Sequence, residues 1–294
     1  MAETGGDAAP QARLPLAAPT GQVLPDLRLA SAESVRLHEE SDPRRAAALT
    51  ERLRRDGLLR NPPIAAPAGD GTYVVLDGAN RVTALRALAY PYQILQVVDY
   101  ESPAVVLDVW HHLLMDADSA AMLERISAAA DVPVQRAARE EARDRLAHRE
   151  AVGVLDDGGP EVVILEAAGG LAEDVLTLAR AVAAYKGSAQ IYRVLEDDPQ
   201  AVRRTYGVAG LLVRFPRFTK VEILAVGRGG VRLPAGVTRH VIPGRALHVN
   251  LDLAMLHADA SLDEKNARLA EMIHARLLNH RVRHYPEATF LFDE

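Results

Sequence analysis

A short apolar strand runs into a helix at Asp77 to Arg81, and the residue types at this junction suit a phosphate-binding loop. The first backbone N–H groups of a helix have no partner within the helix, and the aligned peptide dipoles make that end positive. Gly78 lets an anion approach the backbone closely, and Arg81 adds a positive charge. The same residues also suit an ordinary strand-to-helix turn, in which Asp-Gly supplies only turn chemistry.

A helix is predicted upstream of this loop, over 44–56. Ser41 or Asp42 can cap its N-terminus, Pro43 suits its first position, and Gly57 suits a left-handed C-cap. Between this helix and residue 98, apolar patterning predicts strands at 63–66, 73–76 and 93–98 and a second helix at 80–90. The sequence therefore predicts a compact α/β unit around the loop.

Together with a His-Glu pair and a C-terminal segment, the loop resembles the free L-serine kinases of the ParB/sulfiredoxin-like superfamily. These kinases, of the archaeal ADP-dependent type and of the type found in siderophore gene clusters, carry a His-Glu pair, a DGHHR phosphate loop, a downstream Trp and a TRH segment. The matching residues are His38, Glu39, Asp77, Gly78, Ala79, Asn80, Arg81, Trp110, Thr238, Arg239 and His240. The stretch 233–247 also looks like the second-domain signature of that family. The resemblance implies an α/β fold with a ParB/sulfiredoxin-like N-terminal domain, a second mixed α/β domain and an active site in the cleft between them.

The resemblance implies transfer of a phosphoryl group from ADP or ATP to the hydroxyl of free L-serine or of a closely related hydroxy amino acid. Glu39 is the expected catalytic base, and its neighbour Glu40 is expected to face solvent or assist the helix N-terminus. Asp77 is the second expected catalytic residue, which would orient the loop or hold Mg²⁺ through water, although it could also only cap the helix. Mg²⁺ itself is expected on the nucleotide phosphates, with no direct protein ligand.

The resemblance also assigns the binding residues. The phosphates of the nucleotide are expected on Gly78, Ala79, Asn80 and Arg81, and the amino acid on His38, Trp110, Thr238, Arg239 and His240. Within the second group, the consecutive hydroxyl, guanidinium and imidazole of 238–240 are expected to act as one oxyanion-binding set. Trp110 suits a core position equally well.

The loop departs from the family pattern, since Ala79 and Asn80 stand where the family has two histidines. Backbone amides can still hold a phosphate, but any charge or proton that the imidazoles supply is missing. The choice between ADP and ATP as donor therefore stays open, and so does the choice between serine and another acceptor such as homoserine or threonine.

Composition excludes several classes of protein. A formal net charge of −6 and a pI near 5.9 argue against non-specific nucleic-acid binding, which needs clustered Lys and Arg. The chain has no cysteine, which excludes disulfides, zinc–thiolate sites and cysteine chemistry. No apolar run approaches the roughly 20 residues of a membrane span. We therefore expect a cytoplasmic location without a membrane partner, while the sequence leaves the oligomeric state open.

Composition and patterning divide the chain into four segments. These are a disordered tail at 1–22, a ParB/sulfiredoxin-like nucleotide-phosphate domain at 23–115, a helical connector at 116–150 and a C-terminal α/β substrate domain at 151–294. In the last segment the pattern predicts strands at 162–165, 210–215, 221–226 and 246–249 and helices at 171–185 and 262–278.

Two helices predicted in the connector, at 119–129 and 134–150, allow a different interpretation. Two helices joined by a short turn could form a helix-turn-helix that reads DNA. The second helix alternates Arg and Glu, which is typical of a solvated face or a packing strut. A ParB-like nucleotide- and DNA-binding regulator, or a ligand sensor without catalysis, therefore remains the alternative to a kinase.

Overall fold

The computed structural model describes residues 24–115, 118–207, 210–257 and 260–285, so the predicted disordered tail at 1–22 lies outside the described residues. Up to residue 97 the elements are β1 (Asp26–Ser31), a 3₁₀ turn (Ala32–Ser34), β2 (Val35–Leu37), α1 (Pro43–Asp56), β3 (Leu58–Leu59), β4 (Ile64–Pro67), β5 (Tyr73–Asp77), α2 (Ala79–Ala87) and β6 (Tyr92–Val97). They are followed by β7 (Val106–Val109), β8 (His111–Met115), α3 (Ser119–Ala130), β9 (Val134–Ala137), α4 (Arg139–Ala147), β10 (Ala151–Asp156), β11 (Val162–Glu166) and α5 (Leu171–Tyr185). The last elements are β12 (Gln190–Val194), α6 (Pro199–Tyr206), β13 (Leu211–Arg214), α7 (Lys220–Gly229), β14 (Thr238–Val241), β15 (Leu251–Asp252), α8 (Ala254–His257) and α9 (Leu262–Leu278).

The first sheet has five strands in the order β1-β6-β4-β5-β2, and helices α1 and α2 pack against each other beside it. Helix α1 forms as predicted. The carboxylate of Asp42 accepts hydrogen bonds from the backbone N–H groups of Arg44 and Arg45, and Gly57 ends the helix with a φ of 64°. Strand β5 lies inside the sheet and leads directly into α2, so the predicted strand–loop–helix junction is present.

The second sheet has six strands in the order β12-β8-β13-β10-β11-β9, all paired antiparallel. Helices α3 and α5 pack together, and their buried apolar residues share one core with this sheet. That core extends to Val74 and Leu76 of β5, so the two sheets share apolar packing. The structure thereby confirms a mixed α/β architecture.

Three sequence predictions of local structure are wrong. Residues 134–137 form a strand that pairs with β11, so the predicted helix 134–150 is confined to α4 at 139–147 and the helix-turn-helix built on it does not form. Residues 221–226 lie in helix α7, which starts with a reciprocal hydrogen-bonded box between Thr219 and Glu222. Residues 246–249 contain no strand. Short apolar runs suit strands and helices equally, so only the cap at Thr219 could have separated the two.

Sheet membership does not follow the predicted segments 23–115 and 151–294. Strand β8, before residue 115, lies inside the second sheet, whereas β15 pairs with β3 and helix α9 packs on β1. The amide side chain of Asn266 on α9 donates to the Leu29 carbonyl and accepts from the Leu29 N–H, which covers the free edge of β1. Such long-range pairing leaves no local signal in a sequence. None of the helices in the described ranges has the length and apolarity of a membrane span.

Candidate functional site

Backbone hydrogen bonds around Glu39 join the first sheet to the C-terminal part of the chain. The Leu233 N–H donates to the His38 carbonyl over 2.9 Å, and the Glu40 N–H donates to the Leu233 carbonyl over 2.8 Å. This short parallel pairing links the segment after β2 to the loop before β14. The same loop fixes the Glu39 side chain, because the Gly236 N–H donates to its Oε2 over 3.3 Å.

The Glu39 carboxylate is partly enclosed, and its pKa reflects this. Burial raises the pKa of Glu39, while nearby His38, the Gly236 N–H and Arg193 act in the opposite direction. Asp77, at the head of the candidate phosphate loop, adds to the rise, so the two carboxylates interact electrostatically. By contrast, the side chain of Glu40 is 44% exposed and lies 3.6 Å from the Lys186 ammonium. The two adjacent glutamates thus have different surroundings.

The candidate phosphate loop has the backbone geometry that its sequence predicts. Gly78 has a φ of 107°, a conformation that favours glycine, and α2 begins at the next residue. Asp77 precedes it, and its Oδ2 accepts hydrogen bonds from Arg81 over 3.0 Å and from Arg245 over 2.6 Å. Burial would raise the pKa of Asp77, but the two arginines outweigh that effect and lower it. The Asp77 carboxylate therefore organises the guanidinium groups around the loop.

The polar side chains of Asn80 and Arg81 form hydrogen bonds with other parts of the protein. The Arg81 guanidinium donates to the carbonyls of Asn61 and Pro62 besides its contact with Asp77. The Asn80 side-chain oxygen accepts from the Asp42 N–H over 2.8 Å, which ties α2 to the start of α1. What the loop offers an anion is thus the positive first turn of α2, through the backbone at Ala79 and Asn80.

The side chains of the TRH segment do not converge, contrary to the expectation of one oxyanion-binding set. They occupy β14, where successive side chains point to opposite faces. Thr238 and His240 are buried, whereas the Arg239 guanidinium lies over the Trp110 ring at 5.2 Å and approaches Asp108 at 3.5 Å. Trp110 is partly exposed beside it.

His38 and His240 are buried and form polar contacts between the N-terminal and C-terminal parts of the chain. His38 donates from Nδ1 to the Val75 carbonyl over 2.6 Å, and its Nε2 lies 2.8 Å from the Thr238 hydroxyl. His240 Nε2 lies 2.8 Å from the Tyr100 hydroxyl. Burial lowers the pKa of His240 to about 3, so its ring is uncharged near neutral pH and carries no positive charge for an anion.

Three residues near the site, Arg245, Arg193 and His112, lie outside the motifs; the sequence allows Arg193 and His112 to line the cleft, but nothing local singles them out. Arg245 lies within the segment 233–247 but has no local pattern that marks it, and it reaches Asp77. Arg193 lies on β12 beside Gly236. The Gly236 carbonyl accepts from buried His112 over 3.1 Å, and the other ring nitrogen of His112 lies 2.7 Å from the Tyr185 hydroxyl. Contacts between residues that lie 43 to 168 positions apart in the sequence bring these groups together, and no local sequence pattern predicts such contacts.

The structure offers no protein-only metal site in the ranges it describes. No group of three or more His, Cys, Asp or Glu side chains there could hold a metal ion. Both guanidinium contacts of Asp77 use Oδ2, so Oδ1 is the oxygen that could face a hydrated cation. The donor set therefore fits a cation that arrives with a phosphate ligand better than a resident metal.

Two curated proteins are similar in sequence. The ATP-dependent L-serine kinase SbnI of Staphylococcus aureus is 24% identical over 245 residues, covering 81% of this chain and 87% of that protein. An ATP-dependent L-serine kinase of Staphylothermus marinus is 35% identical over 75 residues, covering 25% of this chain and 30% of that protein. No family model matches the chain.

Solved structures give the same relationship at the level of the fold. SbnI with a C-terminal truncation, from Staphylococcus aureus, has a TM-score of 0.66 at 23% identity and covers 85% of this chain and 96% of that chain. A mutant free serine kinase in complex with AMP has a TM-score of 0.68 at 19% identity and covers 79% of this chain and 95% of that chain. The chain therefore has the α/β fold of SbnI and the free serine kinases, as its motifs predict.

Proposed function

We propose that the protein is a small-molecule kinase that phosphorylates the hydroxyl of free L-serine and forms O-phospho-L-serine. One observation carries the proposal: the partly enclosed Glu39 carboxylate, fixed by the Gly236 N–H, interacts with Asp77 at the head of a glycine loop that opens a helix. A proton acceptor thus lies next to an anion-binding helix terminus. The activity for which the similar proteins are named, ATP-dependent L-serine kinase, supports serine as acceptor and ATP as donor.

The reaction needs a hydroxyl oxygen in line with a terminal phosphorus. The serine oxygen forms a bond to the γ-phosphorus, the bond between that phosphorus and the β–γ bridging oxygen breaks, and ADP leaves. The hydroxyl proton passes to the Glu39 carboxylate. Phosphoryl transfer of this kind is catalysed mainly by positioning and by neutralisation of charge, and both are properties that this site can supply.

The first turn of α2 would bind the phosphates of the nucleotide. Its backbone N–H groups and dipole favour negative charge, and Gly78 leaves room for close approach. Arg81 and Arg245 would contribute through Asp77, which holds both guanidinium groups at the loop. Mg²⁺ would neutralise phosphate charge, held by the phosphates themselves and by water on Asp77 Oδ1.

A phosphorus NMR time course tests the function directly. Purified protein is incubated with Mg²⁺ and L-serine together with ATP, ADP, CTP or GTP in parallel. A new phosphomonoester signal that requires both serine and the protein supports the kinase, and the productive nucleotide identifies the donor. No serine-dependent signal with any nucleotide would refute the proposal.

The same experiment separates the alternatives. Nucleotide consumption without an acceptor product would favour a nucleotide switch or another acceptor, such as homoserine or threonine. A ParB-like regulator would bind DNA in a salt-sensitive manner, which is measured by fluorescence anisotropy at increasing salt. The helix-turn-helix that favoured this alternative is absent at 119–150.

The acid limb of the pH profile is expected to report Glu39. A general base acts only when it is deprotonated, and burial raises the pKa of Glu39 above its ordinary value of 4.5. Activity should therefore fall as the pH drops, with a midpoint above 4.5. Burial is the largest cause of the raised pKa and Asp77 adds to it, whereas His38, the Gly236 N–H and Arg193 lower the pKa. The measurement is kcat/KM for serine against pH at saturating ATP, and a profile that stays flat to below 4.5 would contradict the assignment.

A further inference from the structure

Arg193 is a cation at the site that none of the motifs includes. It lies on edge strand β12 and faces His112 of β8 across the ladder. The residue is exposed, and within the part of the chain that the structure describes its guanidinium makes neither a hydrogen bond nor an ion pair. Arg81, Arg239 and Arg245 differ in this respect, because each contacts a carboxylate.

The Arg193 guanidinium packs against the glycine that holds the expected base. A Cβ atom built on Gly236 would overlap the Cζ, Nε and Nη2 atoms of Arg193. The N–H of Gly236 donates to Glu39 Oε2, so guanidinium and carboxylate flank one residue. Arg193 is near enough to lower the pKa of Glu39, yet the two groups form no ion pair. Each therefore keeps hydrogen-bonding capacity for a third group.

We propose that Arg193 binds the carboxylate of the acceptor amino acid, an inference that rests on the proposed kinase function. An amino acid with a side-chain hydroxyl carries its negative charge a few bonds from the reacting oxygen. Glu39 would repel that charge and attract the hydroxyl proton, whereas the planar fork of an arginine matches a carboxylate. Arg193 beside Glu39 thus provides both ends of such an acceptor with a partner.

Two other observations favour Arg193 over the remaining cations of the site. Arg239, the arginine of the TRH segment, is turned towards Trp110 and Asp108. Arg81 and Arg245 both lie at Asp77, on the side of the phosphate loop. Gly236 has a φ of 82° and faces Arg193 directly. Because Gly236 has no side chain, the Arg193 guanidinium can occupy the space beside it.

The test compares Arg193→Gln and Arg193→Lys with Arg136→Gln, an exposed arginine on β9 at the opposite edge of the same sheet. For Arg193→Gln we expect KM for L-serine to rise by about 10–100-fold, the loss expected for a charged hydrogen-bonded pair. KM for ATP should stay unchanged, and the lysine variant should recover part of the loss. L-Serinamide, which lacks the negative charge, should bind the wild type weakly and the glutamine variant no less well. The control should behave as wild type.

The outcomes distinguish this inference from the function beneath it. A rise in KM for ATP with no change for serine would assign Arg193 to the donor, and equal losses for serine and serinamide would indicate a structural effect; both would overturn the proposal. Without serine phosphorylation by the wild type, the kinase function fails. The increase in Tm caused by L-serine then still decides whether Arg193 binds this carboxylate: a shift present in the wild type and lost in Arg193→Gln supports it, and any other result refutes it.

Discussion

Replacing Glu39 with Gln is expected to lower kcat for serine phosphorylation by about 10²–10⁴-fold, the usual contribution of a positioned general base. Gln keeps the size of the side chain and an oxygen that can accept from the Gly236 N–H, but it cannot take the hydroxyl proton. The affinity for ATP should stay near that of the wild type, because the phosphate loop is untouched. The measurement is kcat by phosphorus NMR, with the nucleotide Kd by calorimetry.

Glu40→Gln is the matched control for this variant. It removes an adjacent carboxylate whose contact with Lys186 is exposed, and such pairs contribute about 0–1 kcal/mol. We expect kcat close to wild type. If Glu40→Gln lost activity and Glu39→Gln kept it, the base would be the other glutamate, and the Gly236 N–H would not be the group that positions it.

Asp156→Asn is expected to give the largest loss of stability. Asp156 on β10 is fully buried and accepts two hydrogen bonds from Arg139, at 2.8 and 2.9 Å. Arg214, only 2% exposed, lies 3.6 Å from the same carboxylate. Removing the carboxylate that contacts both arginines leaves the buried Arg214 without its nearest counter-charge, and breaking a buried ion pair typically costs about 3–5 kcal/mol. For a chain of this size we expect Tm to fall on the order of 10 °C.

Asp157→Asn tests whether the fall in Tm comes from loss of the buried carboxylate rather than from the change in net charge. Asp157 is the exposed neighbour of Asp156, so its variant changes the net charge equally while the buried group stays intact. Thermal denaturation followed by circular dichroism should show a Tm near that of the wild type. Equal Tm values for the Asp156 and Asp157 variants would refute the buried ion-pair argument. Neither residue lies at the site, so each variant should retain serine phosphorylation well below its Tm.

Local chemistry made the first sheet and its loop predictable from sequence. Asp42, Pro43 and Gly57 each have a position-specific preference, and together they fix both ends of α1. The Asp-Gly step before α2 has a similar signature, because a positive φ at Gly78 is needed for that turn. These capping and turn preferences depend on only a few neighbouring residues, so they can be recognised in the sequence alone.

The composition of the site was harder to predict because it depends on contacts between distant segments. Thr238, Arg239 and His240 are adjacent in the sequence, yet strand alternation sends the middle side chain to the opposite face. Arg193 has no motif around it, and only the pairing of β12 with β8 brings it beside Gly236. Residue types therefore suggested the chemistry, while sheet pairing decided which side chains share a face.

The return of the chain to the first sheet has a consequence for its synthesis. Leu29, Leu85 and Ile94 of the first sheet and its helix share a core with Leu251 and Leu269. At about 5–20 residues per second, a ribosome needs on the order of 10 s or more to reach these late leucines after completing β6. During that interval the loop-bearing half displays an unfinished apolar face. Completion of this core thus waits for the synthesis of Leu251 and Leu269, and chaperones have time to bind that face.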